Sequence, residues 1–203
     1  MSCRAHPALP CLLIGCGILR NEIEFLRRKN GWNLSLDFLE PSLHVNLTAL
    51  HTRLSAQLHQ HRHRRPVVFY GCCHPQMDDL LERAGTCRTE GQNCIEMLLG
   101  PERYMSELEA GAFFLLEEWS RNWHDVMTLT FGPHGDVARA IFHEDRKYML
   151  AVRTPVSPDF TAAAEAAARS VELPLRWSDA GLEHLEQVLI RALQRQQQEQ
   201  QQQ

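Results

Sequence analysis

The chain has 203 residues, a formal net charge of −4 and an apolar share of 44%. That suits one large domain or two small lobes, with a core that needs no disulfide staples. The charge carries no global footprint for nucleic acid or for an anionic membrane surface, and no apolar run approaches the roughly 20 residues that span a bilayer.

Residues 1–8 form an N-terminal segment. Leu13-Ile14-Gly15-Cys16 superficially resembles a bacterial lipoprotein cleavage site, but the apolar stretch before it is brief and carries Pro7 and Pro10. A secretory signal needs a cationic start and a longer apolar run. Pro10 to Gly15 reads instead as a buried strand ending in a Gly-Cys-Gly turn. The odd count of seven cysteines fits reduced thiols in a cytoplasmic protein better than a closed disulfide set.

A helix from Ile18 to Lys29 follows, with Ile18, Glu22, Ile23 and Leu26 at helical spacing. Arg27, Arg28 and Lys29 complement the dipole at its end, and Gly31 stops it. Leu34 to Leu39 is a second strand. Pro41-Ser42 opens a longer helix with Leu43, Leu47, Leu50, Leu54 and Leu58 on one stripe. Val67 to Tyr70 is a third strand, completing a βαβαβ pattern and so a parallel sheet.

The second half repeats this grammar. Short helices are expected at Asn93 to Leu99 and Pro101 to Glu109, then a strand at Ala112 to Leu116 and a polar helix carrying Trp119 and Trp123. A turn and helix follow over Gly132 to His143, then a strand at Tyr148 to Val152. Pro158-Asp159 caps an alanine-rich helix to about Val171. Leu173 to Trp177 is the last strand and Ala180 to Leu193 the last helix. Residues 194–203 are a glutamine-rich tail with no assigned function. The expected fold is α/β, a mostly parallel sheet with helices on both faces. It forms one domain over 9–193, with two similar Rossmann-like lobes (9–92 and 93–193) as the finer option.

Cys16, Cys73 and Cys94 stand apart from the other thiols. Each adjoins glycine-rich or polar turn residues where a strand ends or a helix begins. In open α/β sheets the carboxyl ends of the strands line the ligand crevice, so these thiols are candidates for one metal or one reactive centre. Cys16 and Cys94 also fall at expected helix N-termini, which favour a thiolate. Residues adjacent on extended backbone point to opposite sides, so one of Cys72 and Cys73 faces the crevice and the other the core; Cys73, further past the strand, is assigned to the crevice. Cys3, Cys11 and Cys87 read as small buried hydrophobes.

No C-x-x-C pair is present, so spacing alone does not make a metal site. Glu22 is within reach as base or ligand, although glutamates near a helix start often serve only the dipole. His74 is a second candidate acid–base group and equally a solvated turn residue. His59, His61 and His63 are interleaved with Arg62, Arg64 and Arg65, whose charge opposes a cation, so a solvated basic helix end is the better reading. Trp119 and Trp123, four apart, share one helical face, either core packing or a flat ligand wall. Gly15-Cys16-Gly17 lacks the third glycine of a dinucleotide fingerprint.

The ordered set Cys16-Gly17-Ile18-Leu19 with Glu22-Ile23, then Tyr70-Gly71-Cys72-Cys73, then Cys94-Ile95 with Leu98-Leu99-Gly100, resembles the domain of unknown function 1638 family of bacteria and methanogenic archaea. The likeness runs from about Leu12 to about Leu193. In that family's tyrosine-glycine-any-cysteine motif the matching cysteine is Cys73, and His74 departs from the glycine often found next. The resemblance implies a cytoplasmic α/β protein associated with corrinoid-dependent methyl transfer and one-carbon metabolism. It raises the expectation of a three-cysteine centre for zinc or an iron–sulfur cluster. The Asp-x-His-x-x-Gly loop of corrinoid carriers is absent, so corrinoid binding by this chain is not implied.

Three functions follow. The first is a metal centre held by Cys16, Cys73 and Cys94, with Glu22 or His74 nearby, accessory to or enzymatic in corrinoid-linked one-carbon metabolism. The second is a metal-free thiol enzyme with Cys16 or Cys94 as nucleophile and His74 as base. The third is a non-catalytic binding module for corrinoid methyltransferase components, using Trp119, Trp123 and the Arg62 to Arg65 stretch. Nucleic acid and membrane are not expected partners.

Overall fold

The computed structural model describes residues 11–201. The expectations for residues 1–8, Cys3 and the strand start at Pro10 lie outside these residues.

Two three-stranded parallel sheets form the frame. The first contains β1 (Cys11–Cys16), β2 (Leu34–Leu39) and β3 (Val67–Phe69) in the order β2-β1-β3. Its helices are α1 (Arg20–Lys29), α2 (Leu47–Gln60) and α3 (Met77–Arg83). Then come α4 (Cys94–Leu99) and α5 (Pro101–Glu109). The second sheet contains β4 (Ala112–Leu115), β5 (Tyr148–Arg153) and β6 (Leu175–Asp179) in chain order. Around it run α6 (Glu117–Arg121), α7 (Trp123–Phe131), α8 (Gly135–Asp145) and α9 (Thr161–Ser170), and α10 (Glu183–Gln201) closes the described chain. The α/β expectation therefore holds, with two small parallel sheets rather than one.

β1 and β5 are the central strands, and both are near-continuous apolar runs, as strands covered on both faces must be. Because β2 and β3 lie on opposite sides of β1, right-handed crossovers put α1 and α2 on opposite faces. The packing shows it. Leu50, Leu54 and Leu58 of α2 cluster with Leu12, Ile14 and Val68. Ile23 and Leu26 of α1 join Leu13 and Phe69 in a different core. That core also takes Met97 and Leu98 of α4, Leu150 and Val152 of β5, and Val188 and Leu189 of α10. One continuous interior thus spans both sheets. A third cluster packs Trp123, Phe142, Ala164 and Ala167 on the other side of the second sheet.

Several elements differ from expectation for local reasons. The helix expected from Pro41 is a 3-10 turn over Pro41–Val45, and α2 starts only after Asn46, whose Oδ1 accepts from Ala49 N–H at 3.0 Å. That N-cap resets the phase, so Leu47 is 43% exposed while Leu50 is fully buried. Asn122 divides the tryptophan segment into α6 and α7, its Nδ2 donating back to Glu118. Trp119 and Trp123 therefore lie in successive helices, although both rings touch Phe113. Trp123 is buried in the third cluster and donates Nε1–H to Ser170 Oγ at 2.7 Å, whereas Trp119 stacks on His44. Gln194 to Gln201 continue α10, and Gln196 accepts from Cys11 Sγ–H at 3.0 Å and donates to Arg65 O at 2.7 Å. Among the described residues no helix is long and apolar enough to cross a membrane.

Candidate functional site

Cys16, Cys73 and Cys94 line one cavity of about 250 Å³. Cys16 is the last residue of β1, Cys73 lies in the loop after β3, and Cys94 is the first residue of α4. The cavity therefore sits beyond the carboxyl ends of the strands, where parallel sheets place their ligands. His44 reaches it from the turn after β2, and Phe114, Leu116 and Trp119 from β4 and the segment after it. Both sheets thus contribute walls.

Glycine makes the convergence possible. A Cβ on Gly71 would stand 2.1 Å from Gln92 O and 2.7 Å from Asn93 Cα. Only a hydrogen side chain lets the loop after β3 lie against the lead-in to α4, where Cys72 N–H donates to Gln92 O at 2.7 Å. Asn93 then caps α4, its Oδ1 accepting from Ile95 and Glu96 N–H at 3.0 Å each. Its Nδ2 donates to Tyr104 Oη at 2.9 Å, which fixes the cap and with it Cys94.

The expected thiolate stabilisation at helix starts is outweighed. Burial pushes the Cys16 thiol up to about 12, against the pull of the Ile18 N–H. Burial, then the neighbouring Cys16 and Cys73, hold Cys94 well above the ordinary thiol range, and burial also raises Cys73. Tyr70 is raised by burial first and then by all three cysteines. These four acidic groups feel one another across the cavity, whose lining contains no Asp, Glu, Lys or Arg. Cys72 does not line this cavity and, contrary to expectation, does not face the core. It is exposed in a separate groove, with Arg88 Nη2 donating to its sulfur at 3.3 Å. Cys11, Cys16, Cys72, Cys73 and Cys94 carry free thiols.

His44 was not singled out in the sequence. Its ring stacks on Trp119, with centroids 4.6 Å apart and planes 9° from parallel. Burial lowers its pKa, so the ring is neutral, and Nδ1 lies 2.5 Å from Pro41 O. A carbonyl only accepts, so Nδ1 carries the proton and Nε2 the lone pair. His44 Nε2 and Tyr70 Oη are both buried without a hydrogen-bond partner. Each unpaired buried polar atom costs about 1–3 kcal/mol, and both belong to residues that line the cavity, although the atoms themselves are closed to it.

Glu22 and His74 are not among the residues lining this cavity. Glu22 is buried beside a neighbouring cavity of about 80 Å³ and accepts from Thr154 Oγ1–H at 2.7 Å. His74 organises its own turn, Nδ1 accepting from Gln76 N–H at 3.0 Å, with its ring 5.3 Å from His51. The histidines of the basic stretch make local contacts, His61 with Asp37 at 3.7 Å and His59 with Arg62 at 3.3 Å.

Thiolates and a neutral imidazole are a donor set suited to zinc or iron–sulfur ligation. The chemistry of the lining fits such a group. The side chains as they stand are more open than a finished centre: among the described residues, no three His, Cys, Asp or Glu are gathered closely enough to hold an ion.

No curated protein matches the chain. A family model does match, over residues 38–189, a span that includes Cys73 and Cys94 and begins after Cys16 and Glu22. With most of its length covered, the chain belongs to the family described as Protein of unknown function (DUF1638).

Proposed function

We propose that Cys16, Cys73 and Cys94 close on one soft metal ion, zinc or an iron of an iron–sulfur cluster. The observation that carries this is the convergence of three thiols, from three separate segments, on one cavity whose lining offers no charged group to offset them. Burial keeps each thiol protonated. A cation supplies the missing counter-charge, and its binding expels the protons, so affinity rises with pH. His44 supplies a further nitrogen donor whose other ring nitrogen is already held by a backbone carbonyl, a common arrangement for metal-binding histidines.

The thiol-nucleophile alternative is weaker on the same geometry, because burial raises the thiols and His74 lies outside the cavity lining. Family resemblance alone supports a role, accessory or enzymatic, in corrinoid-linked one-carbon metabolism, with corrinoid methyltransferase components as partners. A cavity of about 250 Å³ is smaller than pockets for drug-sized ligands, roughly 300–1,000 Å³. A corrin ring would therefore be carried by the partner. The free thiols of Cys11, Cys16, Cys72, Cys73 and Cys94 favour a reducing compartment such as the cytoplasm.

The test is metal analysis of protein purified anaerobically. One equivalent of zinc, or iron with sulfide, is expected in the wild type, and less than about a tenth of that in the Cys16→Ser, Cys73→Ser, Cys94→Ser triple variant. A wild type that neither contains nor takes up metal, with a triple variant of equal stability, would remove the proposal.

A further inference from the structure

Acidic residues are unevenly spread along the chain. Between Glu40 and Asp78 there is no aspartate or glutamate, against four arginines and six of the chain's eleven histidines. In a protein of net charge −4, such a run marks one basic face. α2 and the residues after it carry most of this run, and α3 lies beside them. Between the two runs a groove of about 400 Å³. Leu58, Leu80 and Ala84 are its less exposed, apolar lining, while the exposed Arg62, Arg83 and Gln76 stand at its rim. It shares no lining residue with the thiol cavity.

Both rim arginines are uncommitted. Elsewhere Arg88, Arg139, Arg153, Arg169 and Arg191 each pair with a carboxylate. Arg62 and Arg83 make no ion pair among the described residues, and the Arg62 side chain donates only to His59 Nε2, at 3.3 Å. Asp79 also lines the groove, four residues before Arg83. That is the spacing of a helical ion pair, yet the pair does not form. α2 leads into β3, and α3 leads into the parallel bridge of Arg88 with Val68. Both helices therefore run back against the strands, which sets Arg62, past the end of α2, and Arg83, at the end of α3, at the same end of the groove. A guanidinium is always charged, and its fork of N–H donors matches phosphate oxygens.

We propose that this groove binds a phosphate monoester of a small organic molecule, its dianionic head held by Arg62 and Arg83 and its apolar body lying on Leu58, Leu80 and Ala84. The volume of about 400 Å³ falls within the roughly 300–1,000 Å³ of small-molecule sites. The inference goes beyond the metal reading and uses none of its residues.

Phenyl phosphate, inorganic phosphate, phenol and hexaglutamate are titrated into the full-length protein by calorimetry at one ionic strength. Phenyl phosphate is expected to bind tightest, about threefold or more ahead of inorganic phosphate because its ring adds buried apolar area. Arg62→Gln and Arg83→Gln should each weaken it about tenfold, the worth of one charge-assisted hydrogen bond. Arg53→Gln removes the same charge from α2 at an exposed position outside the groove, and should change the affinity less than about twofold.

Failure of phenyl phosphate to bind the wild type overturns the inference and leaves both arginines as partners of their helix ends alone. Inorganic phosphate or phenol binding as tightly as phenyl phosphate overturns it too. Hexaglutamate binding as tightly does the same, in favour of an acidic protein surface. Equal losses in Arg53→Gln and the groove variants would reveal a diffuse field in place of a site. Metal analysis of the same samples reports on the thiol cavity separately, since neither arginine lines it.

Discussion

Replacing Gly71 by alanine tests how the site is assembled. The added Cβ would meet Gln92 O at 2.1 Å, Gln92 C at 2.5 Å and Asn93 Cα at 2.7 Å, all backbone atoms. Ordinary contacts need about 3.5 Å, so the loop after β3 and the lead-in to α4 must part by roughly 1.4 Å. That movement breaks the Cys72 N–H to Gln92 O bond of 2.7 Å, worth about 1 kcal/mol net, and adds an overpacking strain of about 1–3 kcal/mol. A loss of about 2–4 kcal/mol is expected, read as a lowered urea midpoint at unchanged slope. Natural domains have about 5–15 kcal/mol in hand, so the variant should fold, with Cys73 and Cys94 drawn apart and its metal affinity reduced. Gly135→Ala is the control, because nothing lies within 4 Å of its added Cβ. A Gly71→Ala protein within about 0.5 kcal/mol of wild type, with its metal affinity intact, would refute the close-approach argument.

In metal-free protein the Cys16 thiol, pushed up to about 12, should be roughly one part in ten thousand thiolate at pH 8. Iodoacetamide mapped by mass spectrometry should therefore label exposed Cys72 first, with the Cys16 rate climbing about tenfold per pH unit; equal rates at pH 8 would contradict a buried Cys16. Burial raises the folded-state pKa of Glu22 above its unfolded value, so its contribution to stability is most favourable below the unfolded value and declines as pH climbs through the interval up to the folded one. Glu22→Gln should accordingly gain stability relative to wild type between pH 4 and pH 7, measured as melting temperature, and a shrinking difference would count against a strained carboxylate. Leu54→Ala, at a site 1% exposed, should cost about 2–5 kcal/mol. Leu47→Ala, at a site 43% exposed, should stay within about 0.5 kcal/mol, and equal losses would place Leu47 back on the buried stripe.

Much of this was legible because strands here are short apolar runs with sharp ends. β2 falls on Leu34 to Leu39 as expected, and the crevice assignment of Cys73 followed from its place one residue further past the strand than Cys72. His44 was hidden because the leucine spacing from Leu43 to Leu58 reads as one helix. The available signal was Asn46, a good N-cap inside that stripe, which returns Pro41–Val45 to a turn at the sheet's rim. Glu22 lies outside the cavity lining for the opposite reason. Its helix was placed correctly, but its partner Thr154 is 132 residues away, just past β5, and no local pattern reports such a contact. α3 was missed because seven residues containing Asp78, Asp79 and Glu82 offer little periodic signal. The helix-start argument for low thiol pKa failed because a turn's worth of dipole is small beside the desolvation of a sulfur inside a cavity.

α10 has a consequence for synthesis on the ribosome. It leaves the second sheet and returns to the first, where Val188 and Leu189 enter the shared core and Gln196 accepts from Cys11, 185 residues earlier. The opening βαβαβ unit emerges early but lacks one wall until residues near 196 are translated. At typical elongation speeds that interval is on the order of ten seconds, during which the nascent chain carries an uncovered apolar surface and reduced cysteines. Shielding by a chaperone in that window, rather than the final stability, would then limit the yield of active protein.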